Sequence, residues 1–183
     1  MDKNIFMEYT YFVYHNRKRG KYTLGPRKDS EKMEKIFPDY FKRFELPAGA
    51  AEELIQVYRA CRSGKCDRES FLPSFEEKGC NESLLSDPTD PSEYSLSTYE
   101  KPKDIKRFAS MTSDMKVPYQ IALGETNPKY GLVQRTKERK PECKSSHVDW
   151  WLYKDAAPYK EFKIIENFEE HITNYKKART ENK

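Results

Sequence analysis

The chain has 183 residues, of which 35% are charged and 36% are hydrophobic, and its formal net charge is +4. This length fits one domain, or one domain with a small appended unit. The 13 Tyr, 10 Phe and 2 Trp exclude the composition of a disordered chain, because aromatic side chains bury enough area to build a core. A net charge this small does not by itself indicate nucleic-acid binding.

The sequence predicts neither a membrane span nor an export signal. No run approaches the roughly 20 apolar residues that cross a bilayer. The N-terminus, MDKNIFMEYTYF, lacks the basic, apolar and small-residue order of a secretory signal. We therefore expect a cytoplasmic protein that does not bind membranes. Its cysteines are predicted to be free thiols, namely Cys61, Cys66, Cys80 and Cys143.

The N-terminal part of the chain is predicted to hold a β-hairpin followed by a helical layer. Residues 5–14 are rich in β-branched and aromatic side chains, and residues 16–20 can turn the chain into a second strand. Across residues 29–79, apolar residues at three- and four-residue spacing predict amphipathic helices, one of them over residues 48–64. Pro38 interrupts the pattern, so either one helix kinks there or Pro38 begins a second short helix.

Residues 80–100 are predicted to form an acidic loop or linker, because Asp, Pro and Ser dominate and two Asp-Pro steps favour turns. Residues 67–100 carry nine Asp/Glu against two Lys/Arg, whereas residues 101–144 carry eleven Lys/Arg against five Asp/Glu. Charge polarised along a chain is typical of proteins that engage charged partners. Two solvated faces of opposite sign would give the same pattern.

Residues 101–166 are predicted to be mainly β. A short helix over KPKDIKRFASM precedes the strand YQIALGE, and the turn at residues 127–131 would let LVQRT pair back onto that strand. HVDWWLY predicts a further strand. Residues 158–166 fit either a strand or the start of a helix, and a helix is predicted over residues 167–178 in both cases. The whole chain, 1–183, is thus predicted to be a single α+β domain with a small antiparallel sheet, an N-terminal helical layer and a C-terminal helix.

Residues with catalytic or metal-binding chemistry are few. The Cys and His residues lack the recurring close pairs of structural zinc sites, and the glycine patterns of phosphate loops are absent, so no metal and no cofactor is predicted. On a strand, His147 and Asp149 would point to the same side. With Glu125 they could form the site of a small metal-dependent nuclease, which is the weaker alternative to a binding protein.

Basic clusters are the strongest functional signal. One lies at the hairpin tip, a second follows the strand LVQRT, and a third leads the short helix at Lys101, Lys103, Lys106 and Arg107. Such clusters contact phosphate groups when they share a face. The predicted contacts to nucleic acid or to a charged partner are Arg17, Lys18, Arg19, Lys21, Arg135, Lys137, Arg139 and Lys140.

Small size, strong local charge and the lack of a catalytic motif predict a non-enzymatic binding protein. This profile is similar in general character to small phage or mobile-element inhibitors of host defence, including anti-CRISPR proteins. The likeness lies in size and composition, and it implies an inhibitor or accessory factor that engages a nucleic-acid-handling enzyme or nucleoprotein complex. The acidic stretch at residues 67–100 could imitate a phosphate backbone for such a partner. A module that binds DNA or RNA directly is the first alternative.

Overall fold

The computed structural model describes residues 35–112 and 119–181, which form an α+β structure around a six-stranded antiparallel sheet. The strands are β1 (Gln56–Cys61), β2 (Leu96–Tyr99), β3 (Gln120–Glu125), β4 (Gly131–Arg135), β5 (His147–Leu152) and β6 (Lys163–Ile164). The described helices are α1 (Ser74–Glu77), α2 (Pro102–Thr112), α3 (Thr136–Arg139) and α4 (Phe168–Glu181). The strand order is β4-β5-β2-β1-β3-β6, so β1 and β2 lie in the middle. The α+β class and the antiparallel sheet are confirmed.

Alternating side chains on the strands supply the core on both faces of the sheet. On one face, Val148 and Trp150 of β5 pack with Leu96 of β2 and with Val57 of β1, all of them fully buried. On the other face, Tyr58 and its neighbours pack against α2 and α4, in a cluster of Tyr58, Ala60, Tyr99, Ile105, Ile121, Phe108 and Phe168. The two longer helices therefore lie on the same side of the sheet.

The helix predicted over residues 48–64 is wrong, because residues 56–61 form strand β1. Strand β1 pairs with β2 on one side and β3 on the other, and five of its six residues are buried. A strand covered on both faces shows no polar/apolar alternation, so its pattern is easily mistaken for a helical one. The buried Arg59 is accommodated because its guanidinium donates to the carbonyl of Ser70 at 2.8 Å and to Glu77 at 2.9 Å.

The predicted N-terminal helical layer over residues 29–79 is not found in its described part, which begins at residue 35. That part contains β1, the four-residue helix α1 and two short 3₁₀ turns at Asp39–Arg43 and Glu69–Phe71. The first turn begins directly after Pro38, as one of the two predicted alternatives requires. Phe41 of this turn packs in a buried cluster with Phe75, Leu85, Tyr94 and Trp151.

The acidic segment 80–100 is a loop in its first part and a central strand in its last. Asn81 and Asp90 accept hydrogen bonds from the backbone N–H groups two residues ahead, as turn-forming side chains do. Residues 96–99, however, form β2, which pairs with β5 in the register Leu96↔Trp150. The loop prediction is wrong there, because the burial that stabilises β2 comes from partners that are distant in the chain.

The predicted pairing between the strands on either side of residues 127–131 is also wrong. The turn forms, since the Tyr130 N–H donates to the Asn127 carbonyl at 2.8 Å. Strand β4 nevertheless pairs with β5, whereas β3 pairs with β1 and β6. The buried Thr126, directly after β3, ties this end of the strand to the residue before β1. Its N–H donates to the Ile55 carbonyl at 2.9 Å, and its hydroxyl accepts from the Ile55 N–H at 2.8 Å.

The C-terminal region follows the strand alternative. Lys163 and Ile164 form the short edge strand β6 against β3, and α4 begins after Asn167. The Asn167 side chain accepts from the Glu170 N–H at 3.1 Å, which caps the first turn of the helix. The predicted helices at residues 101–111 and 167–178 and the strand HVDWWLY are confirmed as α2, α4 and β5. None of the described helices is both long and apolar enough to span a membrane.

Candidate functional site

Arg135, the first residue of the predicted contact segment 135–140, is held by carboxylates of its own chain. Its two terminal nitrogens donate to the two carboxylate oxygens of Glu53, each at 3.0 Å, and its Nε donates to Glu100 at 3.0 Å. These hydrogen bonds, those of Glu53 first, raise the pKa of Arg135 above its ordinary value. A phosphate group would have to displace a bidentate ion pair to reach this guanidinium.

Arg139 and Lys140 are also paired within the chain. Arg139 donates to Asp149 at 2.7 Å and to Asp90 at 3.1 Å, and Lys140 pairs with the second oxygen of Asp90. Burial raises the pKa of the Asp90 carboxyl. Hydrogen bonds from Lys140 and from the Ser92 N–H lower it by more, so this pKa lies below its ordinary value. Both basic side chains therefore fasten α3 and the residue after it to the acidic loop.

Lys137 differs from its neighbours. It is exposed on α3, and no carboxylate of the described residues lies within 4.0 Å of it. The predicted contacts at the hairpin tip, Arg17, Lys18, Arg19 and Lys21, fall outside the described residues. The role of all eight predicted residues stays a prediction, and among those that the structure describes only Lys137 presents an unpaired charge to solvent.

A buried polar network surrounds Asp149, which has no solvent exposure. Its carboxylate accepts from Ser95 at 2.9 Å, from Thr136 at 2.8 Å and from Arg139 at 2.7 Å. His147 lies on the same side of β5, with its Nδ1 2.6 Å from the Thr136 hydroxyl oxygen and 3.7 Å from Asp149. The prediction that His147 and Asp149 share a side is confirmed.

Burial lowers the pKa of His147 below its ordinary value, although the attraction of Asp149 opposes the shift. The Arg139 guanidinium already compensates the charge of Asp149 from a distance of 2.7 Å, whereas the His147 imidazole is 3.7 Å away. Burial therefore favours the neutral form of the imidazole, inside a network whose hydrogen bonds are made by its own chain.

The residues proposed for a nuclease site do not converge. Glu125 lies at the end of β3, and strands β1 and β2 separate β3 from the strand that carries His147 and Asp149. Within residues 35–112 and 119–181, no group of three or more His, Cys, Asp or Glu residues could hold a metal ion. All four cysteines are free: Cys61, Cys66, Cys80 and Cys143.

A cleft of about 440 Å³ between the start of α2 and residues 172–180 of α4 gathers a different set of basic residues. Pro102 and Ile172 are buried and Tyr175 is half-buried, whereas the four cations are exposed. No Asp or Glu is among the described residues that line this cleft. We call it the α2–α4 cleft, and its lining is Lys101, Pro102, Lys103, Ile172, Tyr175, Lys176, Arg179 and Thr180.

The cations of the α2–α4 cleft form no ion pair with the carboxylates that the structure describes. Among the described residues, no Asp or Glu oxygen lies within 4.0 Å of Lys101, Lys103, Lys176 or Arg179. Arg179 lies against Tyr175, with its guanidinium carbon 5.9 Å from the ring centroid.

Several contacts fix the two walls of the cleft. At the base of α2, the Lys101 N–H donates to the Ser146 hydroxyl, which in turn donates to Asp104 at 2.7 Å. A Lys106–Glu169 ion pair at 2.6 Å joins α2 to the first turn of α4. Tyr58 of β1 bonds the His171 ring at 2.8 Å, so α4 is also tied to the sheet.

Only one wall of this cleft can be recognised from the sequence. Lys101 and Lys103 belong to the basic group that leads α2, and their charge is visible there. Tyr175 and Lys176 belong to the helix predicted over residues 167–178, and Arg179 directly follows it; none of them is predicted from the sequence to have a role in binding. The run YKKAR, residues 175–179, shows that the end of this helix is basic. Nothing in the local sequence, however, places it beside residues 101–103.

No family model, no curated protein and no solved structure matches this chain.

Proposed function

We propose that this protein acts by binding, as an inhibitor or accessory factor of a nucleic-acid-handling complex, and that it contacts the nucleic acid of that complex through the α2–α4 cleft. One observation carries the proposal. Four exposed cations surround a single cleft whose described lining contains no carboxylate. Cations that form no ion pair with the described part of the chain are available to bind the phosphate groups of a partner.

The contrast with segment 135–140 supports the choice of surface. There, Arg135, Arg139 and Lys140 already bond to carboxylates, so their charge stabilises the fold. In the cleft, Lys103 and Lys176 extend from two different helices toward the same space. Binding at four cations should release counterions from the nucleic acid, giving a slope of about −3 to −4 in log affinity against log salt.

The buried network around Asp149 is not a competing ligand site. Asp149 is fully buried, and Ser95, Thr136 and Arg139 occupy its oxygens. A substrate would have to break these hydrogen bonds to reach the carboxylate. The network instead supports the fold next to the acidic loop.

The test is binding of the full chain to labelled DNA and RNA oligonucleotides across a salt series. The variant Lys103→Glu/Lys176→Glu reverses two cleft charges, and Lys137→Glu/Lys160→Glu applies the same charge change to exposed residues outside the cleft. We expect the cleft variant to lose roughly tenfold or more in affinity at low salt and to flatten the salt slope, whereas the control stays within about threefold.

Three results would contradict the proposal. Equal losses in the two variants would show that only net charge matters, and absence of oligonucleotide binding by the unmodified chain at low salt would remove the nucleic-acid partner. Polyglutamate of matched charge serves as a competitor. If it displaces an oligonucleotide as well as unlabelled nucleic acid does, the partner is an acidic protein surface and not a nucleic acid.

A further inference from the structure

We infer that the ligand of the α2–α4 cleft is single-stranded nucleic acid, with a base stacked on Tyr175 and phosphate groups on the surrounding cations. This inference rests on the proposed function and goes beyond it, because it specifies which form of nucleic acid the cleft takes. The chemical difference between the floor of the cleft and its rim supports it.

The floor is apolar and the rim is cationic. Pro102 and Ile172 are buried, Tyr175 is half-buried, and Lys103 and Lys176 are exposed. A duplex presents phosphates and sugars to a protein surface and keeps the faces of its bases stacked inside. A single strand exposes both its phosphates and the faces of its bases, and single-strand binding sites combine a positive groove with aromatic stacking residues. The cleft has both components.

The size of the cleft agrees with a short stretch of one strand. Its α4 wall runs from Ile172 to Thr180, which is about 12 Å of helix at a rise of about 1.5 Å per residue. That length accommodates about three nucleotides at a stacked rise of about 3.4 Å. The cleft is open to solvent, and its volume of about 440 Å³ leaves space for one base to enter and contact the floor.

Tyr175 is the residue placed to stack on that base. It lies between the buried Ile172 one turn earlier and Arg179 one turn later on the same helix. The Arg179 guanidinium carbon is 5.9 Å from its ring centroid, and the Arg179 Nη1 is 3.4 Å from its hydroxyl oxygen. A base on Tyr175 would therefore have a guanidinium beside it, able to bind the adjoining phosphate or extend the stack.

The first experiment uses the unmodified full chain and three forms of one oligonucleotide of about 12 nucleotides: single-stranded, duplex, and single-stranded with abasic sites throughout. We expect the normal single strand to bind roughly tenfold more tightly than either of the others, since stacking contributes that much per base. Equal affinity for all three, with a steep salt dependence, would overturn the inference and leave the proposed function standing. Binding of none at low salt would overturn both.

The second experiment changes the stacking residue. Tyr175→Phe keeps the aromatic face and should bind the single strand within about twofold of the unmodified chain, whereas Tyr175→Leu should lose roughly tenfold. Circular dichroism confirms that each variant is folded. Equal binding by the phenylalanine and leucine variants would overturn the stacking role of Tyr175, and the abasic comparison decides the matter independently if the leucine variant fails to fold.

Discussion

The Arg139 guanidinium lies 2.7 Å from the carboxylate of Asp149, which has no exposure to solvent. This pair joins α3 to the middle of β5, and the same guanidinium reaches Asp90 in the acidic loop at 3.1 Å. A residue predicted to contact a partner thus forms ion pairs with two carboxylates of its own chain. Arg139 and Lys140 of segment 135–140 both pair with Asp90 of the acidic loop.

We predict that Arg139→Met destabilises the protein by about 3 kcal/mol, because it leaves the Asp149 charge buried without its cation. Lys137→Met is the matched control, since it removes a charge of the same sign from the exposed face of the same short helix, and it should change stability by about 0.5 kcal/mol or less. Urea unfolding followed by circular dichroism measures both. Similar stabilities for the two variants would show that the Arg139–Asp149 pair contributes little.

His147, whose side chain is only 15% exposed, should make the protein less stable as the pH falls below about 6.5. Its folded-state pKa is lowered by burial, so between the ordinary pKa of about 6.5 and the folded value the unfolded chain binds a proton that the folded chain does not. The stability contributed by the neutral imidazole is thus present above a pH of about 6.5 and is lost on acidification. Urea unfolding between about pH 8 and pH 5 should show this loss, and His147→Gln should reduce it. An unchanged pH dependence in the variant would contradict the assignment.

Gly131 should not tolerate a side chain, because β4 and β5 approach too closely there. A Cβ at this position would lie 2.0 Å from the carbonyl oxygen of Trp151, a backbone atom of the paired strand. We expect Gly131→Ala to destabilise the protein by about 2 kcal/mol or more, since the clash can be relieved only by opening the strand pair.

Gly79→Ala provides the comparison for that variant. Gly79 has a φ of +66°, and a Cβ added there would meet no described atom within 4 Å, so only backbone strain opposes the substitution. The expected cost is about 1 kcal/mol. Thermal or urea unfolding should rank Gly131→Ala as the more destabilising change, and the reverse order would contradict the close strand pairing.

Tyr58→Phe should loosen α4 without unfolding the sheet. The variant removes the 2.8 Å hydrogen bond between the Tyr58 hydroxyl and the His171 ring, which contributes about 1 kcal/mol. Hydrogen exchange of α4 amides should become faster, and affinity at the α2–α4 cleft should weaken. Tyr153→Phe removes a hydroxyl that bonds Glu52 at 3.3 Å instead and should leave exchange in α4 unchanged. Equal exchange in both variants would show that Tyr58 does not hold the helix.

The sequence predicts those helices and strands that are stabilised by residues close to one another in the chain. Helix α2 has its own apolar positions and α4 has the Asn167 cap, and both are predicted near their observed bounds. Strand β1 is not, because its identity depends on β2 and β3 covering its two edges. The turn at residues 127–131 likewise does not predict which strands pair. Thr126 forms hydrogen bonds with Ile55, and β3 pairs with β1 instead of β4.

The candidate site shows the same limit. The charge of Lys101 and Lys103 is visible in the sequence, and so is that of Lys176 and Arg179. What makes them a site is the packing of α2 and α4 on one face of the sheet, through Ile105 and Phe168. Conversely, the sequence does not show that the equally basic segment 135–140 is paired with acidic residues from other parts of the chain.

The most direct test of the central claim is a map of which lysines a bound oligonucleotide protects from acetylation, read by mass spectrometry on the full chain. We predict protection of Lys101, Lys103 and Lys176, with Lys137 and Lys160 modified equally in the presence and absence of the oligonucleotide. Protection of Lys18, Lys21, Lys137 or Lys140 with no change at the three cleft lysines would place the nucleic acid on the other basic segments and contradict the cleft as the binding site.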